Sequence, residues 1–194
     1  MQIGLIRHGL TDWNALGKIQ GQTDIPLNAD GRKQAEAMAS RLIDDAGPWD
    51  YIVSSNLSRA LETARIIAER LDMPILPPDP RLIERSYGSV EGTTQEERVR
   101  RWGADWKRLD LGQETDASMQ ARGLDFIEDL YGRYPQSNIL VVTHGSFLAQ
   151  LYTALFQDRF QEHIGNLSFT ILERKDAEWI PLLYNCTRHL QTIE

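Results

Sequence analysis

Short continuous apolar runs alternate along this chain with longer stretches in which apolar residues recur every three or four positions. That is the pattern of strands buried on both faces and joined by amphipathic helices. Residues 2–7, with Ile3-Gly4-Leu5-Ile6, read as the first strand and Tyr51-Ile52-Val53 as the second. Ile75-Leu76 reads as a third strand soon cut by Pro77-Pro78, and Ile139-Leu140-Val141-Val142 as the clearest of all. Residues 167–173 and 179–185 read as two closing strands around Asp176, a hairpin at the far side of the sheet. Between them, Ala35, Met38, Ala39, Leu42 and Ile43 form one helical stripe, capped by Asn28 or Asp30 and stopped at Gly47-Pro48. Leu57, Ala60, Leu61, Ala64, Ile67, Ala68 and Leu71 form a second, ended by Pro74. Residues 94–108, 115–134 and about 146–156 read as further helices, with Pro135 closing the middle one, while 8–28 and 79–93 read as loops. This order predicts an α/β fold: a three-layer α/β/α sandwich on a mostly parallel central sheet, with ligands bound beyond the carboxyl ends of its strands.

Composition narrows the picture only slightly. With 194 residues, 41% hydrophobic and no Pro/Gly/Ser-rich linker or charge block, the chain reads as a single domain. A formal net charge of −7 argues against nucleic-acid and anionic-membrane partners, and no run approaches the length of a membrane span. The strand pattern starts at residue 2, leaving no room for a signal peptide. The lone Cys186 cannot form an internal disulfide, which suits a core position and a reducing, cytoplasmic location. No pattern bears on oligomeric state.

The chemistry gathers at strand ends. Arg7 follows Leu5-Ile6 directly, so a permanent charge sits at the mouth of a core, where it needs an anion. His8-Gly9 comes next, and Thr143-His144-Gly145 repeats the arrangement after the clearest strand. Arg59 lies off the apolar stripe in the first turn of its helix, where the macrodipole disfavours a cation unless the two share a bound anion. On its own, Arg59 could equally be a solvated side chain balanced by Glu62. Gly145-Ser146 opens a second helix amino terminus at the same edge. Two arginines and two imidazoles converging there suit a tetrahedral dianion.

On these residues the chain closely resembles the histidine phosphatase superfamily, also called phosphoglycerate mutase-like. The blocks are Leu5-Ile6-Arg7-His8-Gly9, Thr11, Trp13-Asn14, Gln20-Gly21, Asp24-Ile25-Pro26-Leu27, Gly31, Ser54-Ser55-Asn56-Leu57-Ser58-Arg59-Ala60, Glu62-Thr63-Ala64, Leu82-Ile83-Glu84-Arg85 through Glu91-Gly92, and Val142-Thr143-His144-Gly145. The resemblance implies that His8 attacks phosphorus and becomes a phosphohistidine that water then hydrolyses. It also implies that Arg7, Arg59 and His144 hold the non-bridging oxygens, and that Glu84 gives the leaving oxygen its proton and later activates water. Asn14, Gln20, Gly21, Tyr87 and Gly145 fall at phosphate- or substrate-binding positions. No metal and no cofactor is implied, the partner being a small phosphorylated metabolite. Leu10 stands where the family commonly has Glu.

Glu84-Arg85-Ser86-Tyr87-Gly88 is similar to the mutases and Val90-Glu91-Gly92 to the phosphatases. The chain is shorter than such mutases usually are, and an intermediate open to water is hydrolysed, which favours a phosphatase. A silent phosphate-binding scaffold is disfavoured because all five chemical residues are kept. Specificity is expected in a helical cap at about 94–122, with Arg98, Arg100, Arg101, Lys107, Arg108 and with Trp102 and Trp106 spaced i, i+4 on one helix face. These either pack and face solvent or reach over the pocket toward a second acidic group or a flat apolar body. Sugar phosphates, phosphoglycerates and the phosphorylated ribazole of cobalamin synthesis all fit. His163 and His189 read as structural or exposed.

Overall fold

The computed structural model describes residues 1–45, 47 and 49–192. Its single sheet has five strands: β1 (Gln2–Arg7), β2 (Tyr51–Ser54), β3 (Ile139–Thr143), β4 (Phe169–Lys175) and β5 (Glu178–Cys186), in the order β2-β3-β1-β4-β5. The pairs β2–β3 and β3–β1 are parallel, whereas β1–β4 and β4–β5 are antiparallel. The three-layer reading holds, but the sheet is evenly mixed because the terminal hairpin adds an antiparallel half. Ile75 contributes one isolated bridge to Ile52 in place of a third strand, since Pro77 and Pro78 follow at once and prolines cannot donate to a ladder.

Side chains alternate across β1 and β3 and so build two cores. On one face Ile3, Leu5, Ile139 and Val141 meet α5 (Asp116–Arg133) and α6 (Gly145–Phe156) through Phe126, Ile127, Phe147 and Leu151. On the other, Ile6, Leu140 and Val142 meet α2 (Ala29–Asp44) and α3 (Ser58–Leu71) through Met38, Leu42, Ala64 and Ile67. Burial on both faces is why these strands are apolar without alternation.

Helix ends follow local capping chemistry more closely than proline positions. Asn28 caps α2, its side chain accepting from Gly31 N, and the helix closes with Asp45 as its C-cap; Pro48 lies outside the described residues. Helix α3 ends at Asp72 in the left-handed conformation, φ 51°, before Pro74 is reached. Within the loop at 8–28, Thr11 caps a short helix α1 (Asp12–Ala15) with a reciprocal bond from Asn14. Within 79–93 there are two 3-10 turns, Pro80–Leu82 and Gly88–Val90.

The region at 94–108 is not one helix. Helix α4 (Gln95–Trp102) stops at Gly103, whose φ of 84° reverses the chain, and Trp106 begins a separate 3-10 turn. Trp102 and Trp106 therefore share no helix face. Cys186 is half-buried, with its Sγ 3.5 Å from Arg41 Nη1, and is not a core residue. His163 is exposed, and His189 is buried beside Arg41 at 3.2 Å. No helix among the described residues is long and apolar enough to cross a membrane.

Candidate active site

The sheet register builds the site. Arg7 pairs with Thr143 and Ser54 with Val142, so the chain leaves β1, β3 and β2 at one edge. The ladder continues past the strands, with His8 N donating to Thr143 O at 2.9 Å and Ser55 N to Val142 O at 3.0 Å. His8 and His144 thereby come to lie side by side, ring centroids 5.2 Å apart.

His8 is 2% exposed, and its Nδ1 lies 2.7 Å from Gly9 O. A carbonyl can only accept, so Nδ1 carries the hydrogen and Nε2 keeps its lone pair. Burial, with Arg7 and Arg59 nearby, holds the His8 imidazole well below its usual pKa. A neutral ring with a fixed free nitrogen is the form a nucleophile needs. Gly9 makes this turn possible because it packs backbone to backbone on Gly31: a Cβ at Gly9 would lie 2.5 Å from Gly31 O.

His144 is fully buried. Its Nε2 lies 2.8 Å from Ser55 Oγ, and that oxygen already accepts from Leu57 N. Among the described residues Nε2 is the only acceptor set against the Ser55 hydroxyl hydrogen, and with Ser55 donating there His144 carries its hydrogen on Nδ1, which has no partner. Burial, then Arg59 and His8, keep this ring neutral as well. The positive charge at the cavity therefore comes from Arg7 and Arg59, with Lys18 on the same wall, and from neither imidazole.

Arg59 is not the solvated residue its position also allowed. It is fully buried, giving Nη1 to Thr23 O at 2.9 Å and Nη2 to Gly21 O at 2.7 Å, while Glu62 pairs with Arg32. Arg7 gives Nη1 to Ile164 O at 2.6 Å. Burial lowers Arg59 and lowers Arg7 to about 10, the direction expected of cations taken from water without an anion at contact. The Nε atoms of both arginines are buried and unpartnered. Three N–H donors, Arg7 Nε, Arg59 Nε and His144 Nδ1, are thus left without acceptors.

Glu84 is 8% exposed and sits on the amino terminus of α6. Its Oε1 accepts from Arg85 N at 2.8 Å and Phe147 N at 3.1 Å, and its Oε2 from Ser146 N at 3.1 Å. The amino-terminal amides of that helix are thus occupied by a carboxyl group of the chain itself. Arg122 braces the loop from beneath, with Nη1 2.6 Å from both Arg81 O and Ile83 O, and Thr143 Oγ1 donates to Leu82 O at 2.7 Å.

A cavity of about 130 Å³ is lined by Arg7, His8, Asn14, Gln20, Gly21, Arg59, Glu84 and Tyr87, with Lys18, Ile19 and Ser146 besides. Of the residues singled out in the sequence, His144 lies behind this wall, and Gly145 opens α6 and lines a neighbouring cavity of about 320 Å³. Asn14 Oδ1 accepts from Asn166 Nδ2 at 3.2 Å, and Gln20 Oε1 from Thr11 Oγ1 at 2.9 Å, which leaves each amide NH2 as the group free to donate. Tyr87 OH and Ser146 Oγ are 2.8 Å apart and border both this cavity and a larger one of about 740 Å³.

Several supporting residues had no role assigned from the sequence. Ser55 fixes the His144 tautomer, Thr63 Oγ1 accepts from Gly9 N at 3.1 Å, and Asn166 donates to His8 O at 3.0 Å. Glu91 ties two loops together by accepting from Gln22 N, Thr23 N and Tyr87 N at 2.9–3.0 Å. Gly21 must be glycine, with φ 56° and a Cβ position 2.0 Å from Glu91 Oε1. Leu10 contributes through its main chain: its N–H reaches Gln34 Oε1 at 3.0 Å and its carbonyl accepts from Asn28 N. Among the described residues no three His, Cys, Asp or Glu side chains are grouped to hold a metal ion.

A neutral imidazole sharing a cavity with one half-buried and one buried arginine at a parallel strand edge suits a phosphoryl group. The chain belongs to the histidine phosphatase superfamily, branch 1, whose profile matches residues 3–187. It is 35% identical to the uncharacterized phosphatase PhoE of Bacillus subtilis, over 96% of this chain and 95% of that one. It is 32% identical to a metal-independent phosphoserine phosphatase of Arabidopsis thaliana, over 99% of this chain and 84% of that one. Among solved structures, Bacillus stearothermophilus YhfR superposes with a TM-score of 0.87 at 29% identity, covering 97% of this chain and 98% of that one. A phosphoserine phosphatase mutant from Entamoeba histolytica in complex with phosphoserine gives 0.78 at 29%, with the same coverage.

Proposed function

We propose that this protein is a phosphatase that hydrolyses small phosphomonoesters through a phosphohistidine on His8, without a metal ion. The observation that carries this reading is that Arg7, Arg59 and a neutral His8 line one small cavity, with a buried, unpartnered Nε on each arginine. Leaving such groups unsatisfied costs on the order of 1–3 kcal/mol each, and more for the charged ones. The oxygens of a bound phosphoryl group remove that cost, and do so most strongly as charge shifts onto them during transfer.

His8 Nε2 forms the P–N bond as the ester P–O bond breaks, and its Nδ1–H, held on Gly9 O, steadies the charge that develops on the ring. Glu84 Oε2 accepts one amide where Oε1 accepts two, so Oε2 is the oxygen with room for the proton passed to the leaving oxygen. The resulting carboxylate then takes a proton from water as the P–N bond breaks and a P–O bond to water forms. Asn14 and Gln20 hold the phosphoryl group, and Gly21 lets its loop approach. Water access favours hydrolysis over retention of the phosphoryl group, because Arg7 and Glu84 line both the small cavity and the neighbouring one of about 320 Å³. The segment at about 94–122 acts as the cap of one catalytic domain, and the lone half-buried Cys186 suits the cytosol.

The test is phosphate release from p-nitrophenyl phosphate and 3-phosphoglycerate with EDTA present, and with His8→Ala as control. Release by the native chain and none by the variant is expected. Isomerisation of 3-phosphoglycerate with a bisphosphoglycerate primer would replace this reading with a mutase one.

A further inference from the structure

The cavity of about 740 Å³ beyond Tyr87 and Ser146 is much larger than the phosphoryl site and adjoins it. Its charged walls do not cancel. Arg85 is paired with Asp116, and Glu114 with Arg122, so each acid on this wall is already engaged by an arginine. Arg98 and Lys107 also line the cavity, yet among the described residues neither forms an ion pair within 4.0 Å. Arg98 is the more telling of the two. It is 6% exposed, its Nη1 goes to Thr93 O and its Nη2 to Gln95 Oε1 at 3.2 Å, both uncharged acceptors, and its Nε has no partner. It is held in place by Trp106, whose ring lies 5.0 Å from the Arg98 guanidinium and 5.8 Å from Lys107 Nζ. A guanidinium taken from water, fixed by stacking and met only by uncharged acceptors suits an anion at the cavity wall.

We propose that Arg98 and Lys107 bind a second acidic group of the substrate, so that the preferred substrates are phosphomonoesters carrying a separate anionic end. The phosphoryl group occupies the small cavity, the body of the molecule crosses Tyr87 and Ser146, and the acid lies on the far side. This rests on the phosphatase reading and adds the substrate class to it. Arg100, Arg101 and Arg108 are exposed and line no cavity with them, so the basic cluster divides into two binding residues and three solvated ones.

The test compares ω-carboxyalkyl phosphates of increasing chain length with alkyl phosphates of matched length. The readout is the ratio of kcat/KM for the acid to that for its neutral match. At one chain length the native protein should favour the acid by about tenfold or more, in keeping with a charge-assisted hydrogen bond. That ratio should drop about tenfold in Arg98→Met, and less in Lys107→Met, whose exposed side chain can be replaced without disturbing packing. Arg100→Met should leave it unchanged. Hydrolysis with no acid preference at any length, or a ratio unmoved by both cavity variants, overturns this inference alone. Failure to hydrolyse any of the esters overturns the phosphatase reading and this inference with it.

Discussion

The two adjoining cavities are built in opposite ways. Around His8, positions are set by the backbone: the parallel ladder places His8 and Ser55, carbonyls hold Arg7 and Arg59, and amides of α6 hold Glu84. Around Arg98, positions are set by side chains, with the Trp106 ring 5.0 Å from Arg98 on a short helix that ends at a glycine and 5.8 Å from Lys107 on the turn that follows. Backbone-set geometry tolerates few substitutions, because moving one residue moves a strand end. Side-chain geometry can be rewritten one residue at a time. On the proposed reading the chemistry of this protein is fixed by its sheet, and its selectivity is left to the cap.

Removing a catalytic-cavity cation should break that division of labour most visibly if it is wrong. Arg59→Met is expected to lower kcat/KM by about 10²–10³ for every ester alike, the scale of losing a preorganised charge donor. It should also lower stability by roughly 1–3 kcal/mol, since the buried Gly21 and half-buried Thr23 carbonyls lose their donor. Rates over a substrate panel and urea unfolding measure the two, and a loss confined to acid-bearing esters would move Arg59 to the selectivity side.

The pH dependence of stability comes next in size, and it too belongs to the sheet edge, since neither His8 nor His144 has a counterpart in the cap. Both rings are held below the usual 6.5, so below that pH the unfolded chain takes up protons that the native chain refuses. Stability therefore falls as pH drops from about 7 to about 5, and these two groups add nothing to the slope above about 7.5. His189, pushed down to about 4 chiefly by burial, adds a slope of the same sign. Urea midpoints across this range should decline toward acid, and a flat line would mean that the rings are charged in the native state. Smallest is Leu10→Ala, expected to alter kcat/KM by less than about threefold because both bonds of Leu10 come from its backbone.

Much of this was legible in the sequence because a strand that runs straight into Arg7-His8-Gly9 has few explanations. Arg59 was legible as a misplaced cation, though its fixing by Gly21 and Thr23 was not, since that needs the loop folded onto α3. Ser55 and Thr63 stood inside the blocks that carry the family resemblance without an evident task, and Asn166 stood outside them. They are short polar residues on three elements, and they acquire a role only where the topology sets them against His8 and His144. The error on Trp102 and Trp106 came from reading helical spacing through Gly103, whose left-handed φ ends the helix between them. The sheet was read as mostly parallel because apolar runs reveal burial and not direction.

The claim that organises everything here is that His8 itself carries the phosphoryl group. Turnover stopped in alkaline denaturant, where phosphohistidine persists, followed by peptide mass spectrometry, addresses it directly. The phosphoryl group should be found on the peptide containing His8, attached at Nε2, and should be absent from His8→Ala. A phosphoryl group on any other residue, or undiminished turnover by His8→Ala, would contradict it.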